Sequence, residues 1–428
     1  MLDINNFKFT KVLREIPGKR RVVEASSRGK NYIVKFFKKK NLYAKEIRGS
    51  FYFNQAEILT PKVLSFGKLN DEYYIIFEKI NDAITVEEFL HSDEPLTKKY
   101  NIVNEVLLLN KKLFKKNFIQ LDNYFKNYLI SHEKIYMIDG GLVKKIIFFK
   151  ALRKFLNFSL ISSKIDPDIL SNETSFYNFK ILDFIHKKIV SYNVHKSLMK
   201  FQLKTLRNSS QFEKILTFRS LIYKQKDFNF DFRKIDNLLQ NAEIIKKGNT
   251  CTVFCHKNLV VKRYNIKSFI HFIKLQFIKS RGKNSWQISN TLQLINIPCP
   301  KPYFYYEKKF LFFRLASYFA MEKIDGIDIV SYQEFIKNNS ETKVLKEKIF
   351  NLFDKFIYFK FIHGDFKKTN ILVDNKMQIR LIDFDKSFFS MSQSIYNYKV
   401  KKQLARFLSN WKNKSKFLTA IRSLEKII

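Results

Sequence analysis

Glycine is scarce in this chain, with ten in 428 residues and none arranged as G-x-G-x-x-G. A nucleotide loop of the usual glycine-rich kind is thereby excluded, so any phosphate cradle must be a reduced one. The second half offers a lone Gly248 in KKGNTCTV, and the first half only Gly18 and Gly29 upstream of its first Lys-bearing strand. Cysteine is scarcer still. Cys251, Cys255 and Cys299 are too few and too unevenly spaced for a disulfide framework or a zinc site, and they predict reduced cytosolic thiols. No apolar run approaches the ~18 residues of a membrane span. The N-terminal MLDINNFKFTKVLREI lacks the apolar core of a secretory signal. Both absences predict a cytosolic location.

Acidic residues are also in deficit, at 39 against 79 Lys and Arg, for a formal charge of +40. Such an excess favours an anionic surface, whether nucleic acid, acidic lipid or a phosphorylated glycolipid. The basic residues are spread along the whole chain and no RNA-binding motif interrupts them, so nucleic acid is the weakest of these readings. A general enrichment in Lys, Phe, Ile and Asn is a competing, purely compositional account. The hydrophobic fraction of 46%, with 46 Phe, is ample for packed cores and excludes a disordered chain. Length alone allows about three domains.

A repeat argues for two. Near the C-terminus stand HGDFKKTN (363–370) and IRLIDFD (379–385), and in the first half QLDNYFKN (120–127) and IYMIDGG (135–141). Each copy has an Asp, an Asn five residues on, and a second Asp after an apolar run. In one copy the strand ILV (371–373), a turn at 374–376 and the return IRLI (379–382) bring Asp383 back toward Asn370. In the other, YLI (128–130), a turn at 132–134 and IYMI (135–138) do the same for Asp139 and Asn127. Upstream, YIVKFF (32–37) and LVVKRYN (259–265) each embed a Lys in an apolar strand. YYIIFEKI (73–80) and YFAMEKIDG (318–326) each end in Glu-Lys-Ile. ILTPKVL (58–64) and INIPCPKPYF (295–304) each mark a helix-to-strand break with Pro. Five landmarks recurring in one order constitute an internal repeat.

Those residue types suit phosphoryl transfer, which needs positioning and charge neutralisation more than covalent chemistry. Asp122 and Asp365 are candidate catalytic groups that orient an acceptor hydroxyl or take its proton. Asn127 and Asp139, and Asn370 and Asp383, are candidate Mg²⁺ ligands. Lys35 and Lys262 are candidate phosphate contacts, with Glu46 as the partner of Lys35. Glu78, Glu322 and Gly248 complete the ATP-binding candidates, the two Glu residues at the hinge where adenine would lie. His363, replaced by Gln120 in the first copy, is expected to support its loop rather than do chemistry. The fold expected is α+β, with two protein-kinase-like domains at 1–230 and 231–428. Each has a small β-rich lobe and a helical lobe, and the junction is placed in the polar stretch 226–240. Segment 145–225, including FYNFKILDFIHKKIV (176–190), supplies the helices of the first domain. The basic stretch 396–428 is the tail of the second.

The motifs IDFDK (382–386), GNT…LVVKRYN (248–265) and SRGKNSW (280–286) ahead of PCPKP resemble the bacterial lipopolysaccharide-core kinases. LDNYFKNYLI with IYMIDGG is similar to the heptose-kinase branch of that group. RIO and aminoglycoside kinases are similar in turn. The resemblance spans most of both halves. It implies ATP and Mg²⁺ as cofactors and a heptose or Kdo (3-deoxy-manno-octulosonic acid) hydroxyl as acceptor. The implied partner is the lipopolysaccharide core on lipid A, met by peripheral contact with the cytoplasmic face of the inner membrane. A small-molecule or protein kinase, or a chain with one domain serving as a pseudokinase binding module, is the alternative. The sequence does not give an oligomeric state. One departure is sharp: no acidic residue lies between Lys262 and Glu307. Lys262 therefore lacks a Glu on the following helix, leaving Asp383 as its expected partner, whereas the first half has Lys35, Glu46, Asp122, Asn127 and Asp139 complete.

Overall fold

The computed structural model describes residues 3–165, 180–335 and 339–410. It comprises two compact units, Met1–Asn193 and Val194–Ile428.

The first unit opens with β1 (Lys8–Ile16), β2 (Arg20–Ser27) and β3 (Lys30–Phe37). Helix α1 (Lys40–Gln55), β4 (Val63–Leu69) and β5 (Glu72–Glu78) follow. They form an antiparallel sheet in the order β1-β2-β3-β5-β4. Arg28 and Gly29, both at positive φ, join β2 to β3. This is the two-residue turn whose twist suits a hairpin. Alternation along β3 sends Val34 and Phe36 into one core with Val23, Ala25 and Ile76. Phe37 goes to the opposite face with Ile75, Phe77 and side chains of α1. Lys35 shares the parity of Phe37 and so faces α1. The second part of the unit is built on α2 (Leu96–Lys115), whose buried Val103, Val106, Leu107, Asn110 and Leu113 follow helical spacing. The hairpin β6 (Tyr128–Ser131) and β7 (Lys134–Met137) and the helix α3 (Lys150–Ser162) complete it.

In the second unit β8 (Phe212–Leu216), β9 (Ser220–Gln225), β10 (Glu243–Lys247), β11 (Cys251–His256) and β12 (Leu259–Tyr264) precede two helices, α4 (Phe269–Phe277) and α5 (Arg281–Leu294). The strands β13 (Pro302–Phe310) and β14 (Phe313–Glu322) come next. The sheet order is β8-β9-β13-β14-β12-β11-β10. Without the β8–β9 hairpin this is the five-strand order of the first unit. A long helix α6 (Asn339–Phe359), the hairpin β15 (Ile371–Asp374) and β16 (Ile379–Leu381), and α7 (Gln393–Leu408) follow. Each unit thus pairs an antiparallel sheet with a helical part, and the mixed α and β content expected from sequence is present.

The expected boundary at 230/231 moves to 193/194. The hairpin β8–β9 belongs to the second unit because β9 pairs with β13, Ile222 opposite Tyr306. Nor is the stretch at 226–240 a linker. Phe228, Phe230 and Phe232 lie against Tyr303 and Phe304, with ring centroids 4.8, 5.7 and 4.9 Å apart, and Ile235–Gln240 is helical. Polar residues between those Phe disguised an apolar alternation. Of the two expected tails, 166–179 and 411–428 lie outside the described residues. Helix is seen over Lys180–Lys204 and α7.

Candidate active sites

Lys35 is buried on β3, where its ammonium is clamped between two carboxylates. Nζ lies 2.6 Å from Glu46 Oε1 on α1 and 2.8 Å from Asp139 Oδ1 just beyond β7. Burial by itself would lower the lysine pKa, but Glu46 and Asp139 overcome it and hold the group above its ordinary value. Asp139 feels the converse. Burial would raise its pKa, and Lys35 and Arg20 together hold it well below the carboxylate range. Glu46 has a second task, accepting a hydrogen bond from the Gly141 backbone N–H at 3.0 Å. That bond ties α1 to the loop carrying Asp139. The approach there is backbone on backbone, since a Cβ on Gly49 would sit 1.8 Å from the Gly140 carbonyl oxygen. Only glycine at 49 permits it.

The loop carrying Asp122 is organised by its own Asn. Asn127 Nδ2 donates to the Asp122 carbonyl at 2.6 Å, and Ile138 N donates to the Asn127 carbonyl at 2.9 Å, bringing the end of β7 back to Asn127. Gln120 Nε2 donates to the Asp139 carbonyl at 3.0 Å. Asn123 is locked by Asn110 of α2 and by the Tyr128 hydroxyl in a buried network. Asp139 itself is left-handed at φ 64, a conformation Asp tolerates better than most residues.

A cleft of about 330 Å³ opens beside this cluster. Val22, Ile33, Phe77, Leu129 and Ile138 give it apolar walls, Glu78, Lys79 and Ile80 line it at the end of β5, and Lys35, Glu46 and Asp139 form its polar end. An apolar slot with a few convergent charged groups is the usual form of a small-molecule site.

The second unit repeats the frame with different fastenings. Lys262 Nζ lies 2.8 Å from Asp383 Oδ1, the carboxylate expected in default of a helix Glu. Burial would raise the Asp383 pKa, and Lys262 prevails in lowering it. Asp383 is left-handed at φ 72, matching Asp139. Asn370 Nδ2 donates to the Asp365 carbonyl at 2.8 Å, and Ile382 N to the Asn370 carbonyl at 3.0 Å. The carboxylate of Asp365 is engaged by Arg406 at 2.7 Å and Lys367 at 3.3 Å, whereas Asp122 has no ion pair among the described residues. His363 is fully buried with Nε2 3.0 Å from the Ile382 carbonyl. Burial pushes its pKa down to about 4, so the ring is neutral and Nε2–H donates to that carbonyl. Gly248 N donates to the Cys251 carbonyl in the β10–β11 turn, and Glu322 accepts from the Lys301 N–H at 3.1 Å.

Three residues of these charged clusters escaped the sequence reading. Arg20 grips Asp139 with two parallel bonds of 3.1 Å, the fork geometry of a strong charge-assisted pair. Strand register shows its counterpart: Arg20 pairs with Phe37, two beyond Lys35, and Cys251 pairs with Tyr264, two beyond Lys262. Cys251 thus stands where Arg20 does, and burial pushes its thiol up to about 11. Asp385 and Arg281 are the other two. Asp385 receives bonds from Arg281 of α5 at 2.5 Å, the Tyr264 hydroxyl at 2.7 Å and Ser285 at 2.8 Å. Asn284 adds bonds to the Phe384 and Ser387 carbonyls at 3.1 and 3.0 Å. The signal was present in the SRGKNSW motif, where Arg281, Asn284 and Ser285 turn to the IDFDK loop and Ser280 caps the helix.

The donor sets fit Mg²⁺ held on a nucleotide. Each unit offers one amide oxygen and one carboxylate, Asn127 with Asp139 and Asn370 with Asp383. No group of three or more acidic, His or Cys donors is found among the described residues. Mg²⁺ is commonly held by one or two carboxylates plus substrate phosphates rather than by an all-protein cage.

None of the curated proteins matches the chain. Among solved structures it is similar to the kinase PK-1 of the Cydia pomonella granulovirus, at 14% identity over 45% of this chain and 90% of that one, with a TM-score of 0.31. Residues 315–415, in the second unit, match the family model described as the ABC1 atypical kinase-like domain. The kinase-like match thus covers one segment of the second unit, the one that carries Asp365, Asn370 and Asp383.

Proposed function

We propose that the chain is an ATP-dependent phosphotransferase acting on a sugar hydroxyl, heptose or Kdo, of the lipopolysaccharide inner core. The observation that carries the phosphotransfer reading is Lys35 clamped between Glu46 and Asp139 at the polar end of an apolar cleft. In this reading the cleft takes the adenine against Phe77 and Ile33, with the backbone at Glu78–Ile80 along its edge. Lys35 contacts the phosphates, held in place by Glu46. Asn127 and Asp139 hold Mg²⁺, which neutralises phosphate charge when bound. Asp122 orients the acceptor hydroxyl and takes its proton. Lys262, Asp365, Asn370 and Asp383 repeat the roles in the second unit, and the shared five-strand order and hairpin support two kinase-like domains in tandem. The sugar acceptor rests on the sequence resemblance, and the net charge of +40 suits a phosphorylated glycolipid at a membrane face.

A second reading makes the second unit a pseudokinase binding module. It is favoured by the ion pairs that occupy Asp365 and by the lack of a Glu on α5. The deciding experiment is labelled-ATP turnover on purified core acceptor, with mass spectrometry of the product. Asp122→Ala should abolish one phosphate addition. If Asp122→Ala and Asp365→Ala together leave incorporation unchanged, the assignment is wrong. If Asp365→Ala alone changes nothing, the second unit is a binding module.

A further inference from the structure

Helix α4 is mounted with its apolar side outward. At 100° per residue, Phe269, Ile270, Ile273 and Phe277 form one stripe, and all four are exposed, at 75%, 80%, 43% and 86%. No residue of the helix is buried. Its inward contacts come from the adjoining sector, at Phe272 and Gln276. The Phe272 ring lies 5.8 Å from that of Phe313. Gln276 exchanges two bonds with the Arg314 backbone, at 3.0 and 2.8 Å, and the Arg314 guanidinium donates to the Ile278 carbonyl at 2.9 Å. A core-facing helix does the reverse, burying its apolar stripe. Beside α4 the β13–β14 hairpin turns through Phe310, Leu311, Phe312 and Phe313, all exposed, with Phe312 at 96%. Helix and tip together make a contiguous apolar surface, which in a soluble protein marks a contact site.

Charge selects the occupant. From Arg263 to Met321 the chain has ten Lys and Arg and a single acid, Glu307. That acid is buried, bonded to the Tyr305 hydroxyl and paired with Arg314 at 3.7 Å. Exposed Lys267 and Lys274 flank the stripe. An apolar face flanked by exposed lysines is what an anionic bilayer binds, aromatic and aliphatic groups entering the acyl boundary while lysines meet the headgroups.

We infer that α4 and the β13–β14 tip form a membrane-docking face that inserts Phe269, Ile270, Phe277 and Phe312 into an anionic lipid surface. This deepens the membrane setting of the proposed function but does not depend on phosphotransfer. The full chain should sediment with vesicles of phosphatidylcholine plus phosphatidylglycerol and much less with phosphatidylcholine alone. Replacing the four residues by Ser should lower partitioning by at least about tenfold. It should leave the thermal midpoint and ATP turnover on a water-soluble acceptor unchanged, which separates failure of docking from failure of the kinase reading. Lys267→Glu with Lys274→Glu should remove the preference for phosphatidylglycerol. A Phe312→Trp reporter should shift its emission to the blue on vesicle addition. The inference is overturned if the wild type ignores anionic vesicles, if the Ser variant binds them equally, or if the reporter does not shift. It is also overturned if sedimentation shows a dimer that the Ser variant loses, since the face then belongs to a second copy.

Discussion

The two units join a helix to the loop that bears Asp139 or Asp383 with opposite polarity. In the first, the carboxylate is on the helix: Glu46 reaches to Lys35 and to the Gly141 N–H. In the second, the carboxylate is on the loop: Asp385, two residues past Asp383 as Gly141 is past Asp139, receives Arg281 and Ser285 from the helix. Either arrangement fixes helix to loop. Only the first also clamps the lysine a second time. Holding the loop and orienting the lysine are thus separable tasks that one Glu performs together in the first unit. The loops bearing Asp122 and Asp365 differ in the same spirit. Asn123 is fixed by hydrogen bonds to Asn110 and Tyr128, whereas Phe366, also one residue past its Asp, packs on Phe353, Phe356 and Phe407 at 5.1–5.6 Å. A geometry can be kept while the chemistry that keeps it is exchanged.

The sharpest break in this comparison is catalytic. Asp122→Ala should reduce phosphotransfer by about 10²–10⁴-fold, read as initial rate with labelled ATP, while Asp365→Ala, whose carboxylate is already ion-paired, should cost far less. Equal losses would show the two sites to be equivalent. Next come the two fastenings. Glu46→Gln removes one of the two carboxylates on Lys35 and Asp385→Asn removes the carboxylate that Arg281 meets, and each should destabilise by about 1.5–3 kcal/mol in denaturant unfolding. Glu46→Gln alone should also raise the KM for ATP. If Asp385→Asn raises it as much, the separation of tasks fails.

The third test uses pH. His363 has its pKa lowered from 6.5 to about 4, so between those values the unfolded chain takes up the proton first. Its contribution is complete above pH 6.5 and is lost as pH falls toward 4, a change on the order of 3 kcal/mol. His363→Gln, which installs the residue found at 120, should flatten the unfolding midpoint over that range. An unchanged slope would exclude His363 as its source. The smallest effect is expected at the strand position shared by Arg20 and Cys251. Arg20→Ala removes a charge-assisted pair and should alter ATP affinity by about tenfold, whereas Cys251→Ala should leave it nearly unaltered. Fluorescent-nucleotide titration distinguishes the two.

Much of this was legible along the chain. The turn and strands that return Asp139 to Asn127 lie within some twenty residues, where apolar alternation and local bonds decide the outcome. Lys35 and Lys262 stood out because a charge in a β-branched run needs a partner. The domain boundary was misread because polar residues masked Phe228, Phe230 and Phe232, whose packing partners on β13 lie more than seventy residues away.

The sequence by itself determined the two D…N…D hairpins, the strand lysines and the order of elements, because each is written in short-range spacing. Only the tertiary structure decided which carboxylate serves which cation. Arg20 meets Asp139 across 119 residues and Arg281 meets Asp385 across 104. No local pattern encodes such a pair, since it exists only once sheet, helix and loop have been brought face to face by the packing of their apolar sides.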